Sequence, residues 1–341
     1  MKALPNTTPA AGKRLSPRPS QGVEHGGDLT AVRARFPDAP EPWIDLSTGI
    51  NPVPYPVPAL PTEAWTRLPE RAQEQALIAA AARRYGVTDS TTIVAAPGTQ
   101  ALIQTLPRLL SQSRVAILGP TYEEHEVCWR RQGHETTIVT DLDQTTDADV
   151  VVLVNPDNPT GRLVAVEDMP SPSKLLVVDE AFIDLLAPAC SLAGNLPPNT
   201  IVLRSFGKTY GLAGVRLGFA IAAPETADRL RLEFGPWAVP GPALELGRLA
   251  LGDDGWLNAT AERLTADRQR LDDILVEAGC TIRGGTPLFC LAEHPDASTF
   301  VERLGRHGIH IRRIRHQPRW LRFGLPGSDA AFERLRNSFS N

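Results

Sequence analysis

Ser205-Phe206-Gly207-Lys208-Thr209-Tyr210-Gly211-Leu212-Ala213-Gly214-Val215-Arg216-Leu217-Gly218 sets one lysine between glycines, directly after a short apolar run. Its Gly-Lys-Thr triplet raises nucleotide binding first. A phosphate-binding loop of that type needs another glycine five positions before Gly207, and position 202 is valine, so ATP binding is excluded here. The other chemistry open to the lysine is Schiff-base formation, which needs a confined amine of lowered pKa. Ser205, three residues before, and Arg216, eight after, add a hydroxyl and a guanidinium fork, the groups that hold a phosphate monoester. An isolated lysine is usually a solvated surface charge; the surrounding pattern is what sets Lys208 apart.

Outward from this stretch, short apolar runs alternate with polar or helical segments. They lie at residues 92–96, 114–118, 136–139, 149–154, 174–178, 200–203 and 217–222. Several are rich in Val, Ile and Leu without strict alternation, the pattern of strands covered on both faces. Seven such runs with helical connections predict an α/β fold: a large three-layer α/β/α domain around a mostly parallel seven-stranded sheet. Residues 71–85 form an Ala-rich helix closed by Gly86. Residues 256–278 form a long helix. Strands near 281–283, 288–292, 309–312 and 320–323 follow, with helices at 298–307 and from 328, giving a small α+β domain. The expected division is a mobile tail at 1–21, an N-terminal arm at 22–60, a large domain at 61–255 and a small domain at 256–341. The arm, Pro-rich over 37–61, would be extended and reach both the small domain and the site.

Composition narrows the function classes. Net charge is −4, which gives no global pull toward nucleic acid or a membrane surface. The late arginines, 303, 306, 312, 313, 315, 319 and 322, are interleaved with strand signals and do not read as a nucleic-acid patch. Cys128, Cys190, Cys280 and Cys290 are far apart, without a C-x-x-C pair, so no metal site is expected and the thiols read as reduced and cytoplasmic. No apolar run reaches the ~20 residues that span a bilayer, and residues 1–21 lack the apolar stretch of a secretory signal.

Further motifs follow the predicted strands. Pro97-Gly98-Thr99-Gln100 opens a helix, whose first N–H groups make an anion site. Pro120-Thr121-Tyr122 follows the second strand, and Asn155-Pro156-Asp157-Asn158-Pro159-Thr160-Gly161 the fourth. Val177-Val178-Asp179-Glu180-Ala181-Phe182 ends the fifth with a carboxylate facing a crevice, a ligand-binding position. Late in the chain stand Ile309-His310-Ile311-Arg312-Arg313 and Trp320-Leu321-Arg322-Phe323-Gly324.

These motifs, in this order, resemble the class I/II aminotransferases, pyridoxal 5′-phosphate (PLP) enzymes of transferase fold type I. The resemblance implies that Lys208 is the catalytic lysine and holds PLP as a Schiff base. It implies that Thr99 and Gln100 bind the cofactor phosphate, which Ser205 and Arg216 also suit, that Gly98 contacts the cofactor and that Tyr122 stacks on the ring. Asn158 would meet the 3′ oxygen, and Asp179 the pyridine nitrogen. Asn155 reads as a turn residue. Arg322 would clamp the substrate carboxylate. Arg312 would hold a phosphate on the substrate, with Arg313 the alternative.

Within that family His25-Gly26-Gly27-Asp28, the run Asp45 to Pro52 and Asp179 to Asp184 resemble the threonine-phosphate decarboxylases of cobalamin biosynthesis. The implied reaction is decarboxylation of L-threonine O-3-phosphate to (R)-1-amino-2-propanol O-2-phosphate. The alternative is transamination of a histidinol-phosphate type. His25 and Gly26 would contact this small phosphorylated substrate. Gly49 takes the position where a relative has a substrate-contacting asparagine, so that contact must come from elsewhere. Phe182 stands where the aminotransferases usually have tyrosine. Leu68 stands where many relatives use a tyrosine from the partner of a homodimer.

Overall fold

The computed structural model describes residues 25–339; the expected mobile tail, 1–21, lies outside the described residues. Strand β1 (Ile44–Leu46) belongs to the arm. A seven-stranded sheet is built from β2 (Ile93–Ala96), β3 (Arg114–Leu118), β4 (Glu135–Val139), β5 (Val150–Val154), β6 (Leu175–Asp179), β7 (Thr200–Ser205) and β8 (Gly218–Ile221). Its order is β2-β8-β7-β6-β5-β3-β4. Strand β8 runs antiparallel to both neighbours, and every other pair is parallel.

The apolar runs of β5, β6 and β7 are continuous because both faces are covered. Val151, Leu153, Leu176, Val178 and Val202 pack on one side with Leu77 and Ala81 of helix Arg71–Tyr85 and Leu244 and Ala250 of helix Gly241–Leu251. Val150, Val152, Val177, Ile201 and Leu203 pack on the other, with Leu102 and Ile103, Trp129, and Ala227 and Leu230. Those residues belong to helices Thr99–Thr105, Glu124–Arg131 and Pro224–Phe234. Burying one such aliphatic side chain is worth about 1.5–3 kcal/mol, so strand centre and flanking helices stabilise one another.

Not every connection is helical as the sequence suggests. The segments after β5 and after β6 carry only single 3₁₀ turns, Val166–Asp168, Pro188–Cys190 and Ala193–Asn195. Prolines 156, 159, 170, 172, 188, 197 and 198 deny these segments the N–H groups and φ range a helix needs.

Asp253 caps the 24-residue helix Asp254–Glu277, accepting from the Trp256 N–H at 2.9 Å. Its apolar stripe (Leu264, Leu271, Ile274, Leu275) packs on a second core formed by β9 (Thr281–Thr286), β10 (Phe289–Glu293), β11 (Ile309–Ile314) and β12 (Gln317–Gly324). This sheet has the order β1-β11-β12-β10-β9, so the arm supplies its edge, parallel to β11. None of the described helices is long and apolar enough to cross a membrane.

Candidate active site

A cavity opens where the parallel strands end and β8 begins. It is lined by Gly98, Thr99, Gln100, Tyr122, Asn158, Asp179, Ser205, Lys208 and Arg216 together. All nine expected cofactor contacts therefore converge, although more than a hundred residues separate Gly98 from Arg216. Adjacent parallel strands end level with one another, and a loop leaves each at the same rim of the sheet.

Each residue has a local cause. Gly98 takes φ +84° and turns the chain from β2 into the helix Thr99–Thr105. A Cβ there would lie 2.7 Å from Arg216 Nη2, so only glycine lets the guanidinium approach. A Cβ on Gly218 would lie 2.6 Å from the Thr99 backbone nitrogen, so that corner also closes on glycine. With Ser205 on the cavity wall, the start of the helix Thr99–Thr105 and the Arg216 guanidinium supply the kinds of group that hold a phosphate.

Lys208 follows β7 in a single helical turn, Phe206–Thr209. Two arm residues pin it: the Asn51 N–H donates to the Lys208 carbonyl and the Asn51 side-chain amide to the Thr209 carbonyl, both at 2.9 Å. The Tyr55 N–H donates to the Tyr210 carbonyl at 2.9 Å. The arm lies this close because Gly211, at φ +65°, has no Cβ; one would sit 2.7 Å from the Asn51 carbonyl oxygen. Burial, helped by the charges of Arg322 and Arg216 and opposed by Asp179, pulls the Lys208 amine down to about 8. Its Nζ stands 5.5 Å from the centre of the Phe182 ring.

Opposite the lysine, the buried Asp179 carboxylate receives the Ala181 N–H at 3.1 Å and lies 3.0 Å from Nε2 of buried His125. His125 is a site residue the motifs did not reveal. Its one signal is position: three residues after Tyr122, in the first turn of the helix Glu124–Arg131. Tyr122 donates to Gln100 Oε1 at 3.2 Å, and burial pushes its phenol up. Asn155 behaves as a turn residue, its side chain bonded at both ends to the Val164 backbone.

On the small-sheet side, Arg322 donates to the Asn158 side-chain oxygen and, at 2.6 Å, to the Ser47 carbonyl. Its Nε is buried without a partner. Burial, with Arg312 nearby, lowers this arginine to about 10. Arg312 is the cross-strand partner of Arg322, so both project from one face of the sheet. Arg313 pairs with Leu321 and projects from the other. Ser47 also receives the Gly27 N–H on its Oγ at 2.9 Å, and a Cβ on Gly26 would lie 2.5 Å from the Ser47 carbonyl oxygen. The segment of His25, Gly26 and Gly27 is thus docked one bond from Arg322. Gly49 is buried against aromatic rings: a Cβ there would meet Phe289 at 2.9 Å and Phe182 at 3.0 Å.

A phosphate cradle, an amine of lowered pKa, an aromatic ring, and a buried carboxylate backed by histidine occupy separate walls of one cavity. That set fits PLP: cradle for the phosphate, Lys208 for the aldehyde carbon, Asp179 for the pyridine nitrogen and Asn158 for the 3′ oxygen.

Comparison with known proteins agrees. The chain is 42% identical over 332 residues to a threonine-phosphate decarboxylase of Sinorhizobium sp, covering 94% of this chain and 98% of that one. It is 40% identical to the threonine-phosphate decarboxylase of Pseudomonas aeruginosa, over 92% and 96% of the two chains. The structure of histidinol-phosphate aminotransferase from Sinorhizobium meliloti in complex with pyridoxal-5'-phosphate shares the fold, with a TM-score of 0.80, 23% identity and 97% of each chain covered. The family model for aminotransferase class I and II matches residues 41–339. The chain therefore belongs to the class I and II aminotransferase family, and its cofactor is pyridoxal 5′-phosphate.

Proposed function

We propose that the chain decarboxylates L-threonine O-3-phosphate, releasing CO2 and giving (R)-1-amino-2-propanol O-2-phosphate. The observation that carries this reading is its near-full-length identity to the two threonine-phosphate decarboxylases. Histidinol-phosphate aminotransferases are more distant relatives, 33% identical over 70% of this chain in one case and 31% over 90% in another.

The site supplies matching chemistry. Arg312 and Arg322 sit side by side, and their mutual repulsion and desolvation are both relieved by an anionic ligand. Arg322, with its unpartnered Nε, suits the carboxylate end. Arg312, facing the same way, suits the phosphate; Arg313 faces away. His25 and Gly26 lie at the same end, and Asn158 reaches both the cofactor position and Arg322. Gly49 contributes no side chain; its small size admits the Phe182 and Phe289 rings.

The bound cofactor supplies the electron sink for the pair left at Cα as the carboxylate departs as CO2. Asp179, held by His125, keeps a proton on the pyridine nitrogen. Lys208 gives the proton that replaces the lost carboxylate at Cα, a transfer suited to an amine near pH 8. Phe182 offers an apolar face beside that amine and no phenol to compete for the proton.

The same reading places the enzyme in cobalamin biosynthesis, in the cytoplasm, as a homodimer. Trp65, Leu68 and Trp237 are large apolar side chains left exposed, as a homodimer contact would need, and sedimentation measures the oligomeric state directly. The division into arm (22–60), large domain (61–255) and small domain (256–341) belongs to it too, supported by the two separate sheets.

CO2 release from L-threonine O-3-phosphate by the holoenzyme, without any 2-oxo acid, is the expected result. Strict dependence on 2-oxoglutarate would refute decarboxylation and favour transamination.

A further inference from the structure

At the mouth of the cofactor cavity, Glu124 joins two parts of the chain that share no sheet. Its carboxylate is largely buried. One oxygen lies 3.1 Å from His25 Nε2, on the arm; the other accepts from the Gln100 amide at 2.7 Å. Cys128 Sγ, one turn along the helix, is 3.9 Å from that second oxygen. Tyr122 completes the cluster through Gln100, its ring 6.4 Å from that of His25.

His25 itself is half exposed and near the start of the described chain. A surface imidazole of this kind ordinarily samples many rotamers, and fixing one costs side-chain entropy. Gly26 and Gly27 dock on Ser47, which sets where the backbone lies. They do not choose the direction of the ring. The carboxylate of Glu124 does: it engages Nε2, which leaves Nδ1 as the nitrogen free to meet a ligand.

We propose that Glu124 is a positioning residue for substrate recognition. It orients His25 toward the phosphate of the substrate and so sets the preference for a phosphorylated amino acid. This rests on the decarboxylase reading and adds to it a residue that would act on the substrate through the side chain of His25.

The test is a double-mutant cycle on the holoenzyme with L-threonine O-3-phosphate, using Glu124→Gln, His25→Ala and the pair. Each single change raises KM about tenfold, the worth of one charge-assisted hydrogen bond, and lowers kcat by a smaller factor. Because Glu124 acts through His25, the double variant is no worse than either single. Independent effects that multiply to about a hundredfold would overturn the proposal. So would an unchanged KM in Glu124→Gln, or a loss confined to kcat. Glu124→Asp, which keeps the charge, recovers part of the KM. The change in cofactor absorbance on adding the phospho-amino acid reads affinity without turnover. If CO2 is not released but the absorbance responds, the decarboxylase reading fails and the cycle still decides the role of Glu124. If neither occurs, both fall.

Discussion

The two ends of the cavity are built in opposite ways. The proposed cofactor end is made of short contiguous motifs, each at the end of a strand: Gly98 to Gln100 after β2, Tyr122 after β3, Asn158 after β5, Asp179 on β6, Ser205 ending β7 and Lys208 just beyond it. The proposed substrate end would draw on His25 and Gly26 of the arm, Glu124 on a helix, and Arg312 and Arg322 on two strands of another sheet. At the first end, sequence neighbours are site neighbours. At the second, contacts such as Arg322 with Ser47 join residues 275 apart. Chemistry common to a family can be fixed by local turns, whereas substrate choice, on the proposed reading, would depend on how arm and small sheet dock against the large one.

If the cofactor end is one machine, its single amine is the most costly loss. Lys208→Ala should lower CO2 release by at least about 10³-fold, since both cofactor attachment and proton delivery are lost. Borohydride reduction, which fixes PLP to the wild-type lysine, should leave no adduct on the variant. A Lys208→Ala enzyme with near-normal turnover would break the contrast at its root.

Asp179→Ala should follow, with a loss of about 10²-fold or more in kcat, because a neutral pyridine is a poorer electron sink. His125→Asn should cost less than Asp179→Ala, as it acts through that carboxylate. A larger loss from the histidine change would mean that the ring contacts the ligand itself.

The lysine amine also sets a pH dependence. Burial and neighbouring guanidiniums lower it from 10.5 to about 8, so the neutral, nucleophilic form grows tenfold per unit below that pH. The rate at which apo-protein captures PLP, followed by absorbance, should rise with pH and level off above about 8. The same shift acts on stability with a definite sign. Between about 8 and 10.5 the unfolded chain binds the extra proton, so apo-protein stability rises with pH across that window. Below 8 the cost of burying the cation is fully present. A capture rate still climbing steeply above pH 9 would show an amine that is not confined.

How much of this was legible in the sequence follows the same division. Strands β5, β6 and β7 announce themselves because burial on both faces demands unbroken runs of Val, Ile and Leu. Strand β1 does not: it is three residues, Ile44–Leu46, in a Pro-rich arm, and exists because β11 offers a parallel edge. The helix Glu124–Arg131 is mostly polar and carries no motif, so His125 and Glu124 stayed hidden. Their partners, Asp179 and His25, lie on other elements. The loops after β5 and β6 stay non-helical, carrying only 3₁₀ turns, because their prolines remove N–H groups that a helix needs.

The smallest expected effect separates the two neighbouring arginines whose roles the sequence left open. Side chains alternate across a strand, so a one-residue difference is a change of face. Arg312 opposes Arg322 and Arg313 opposes Leu321, a core residue of the small sheet. Arg312→Gln should therefore raise KM for L-threonine O-3-phosphate about tenfold, in line with loss of a hydrogen bond to a charged group. Arg313→Gln should move KM by less than about twofold, as an exposed charge beyond the site does little. Competition by inorganic phosphate sharpens the result, because it should weaken in the first variant and not in the second. Were the ranking reversed, β11 would have to slip by one residue against β12. Ile309 and Ile311 would then leave the core they share with Leu321 and Phe323, a burial loss far larger than the binding energy at stake.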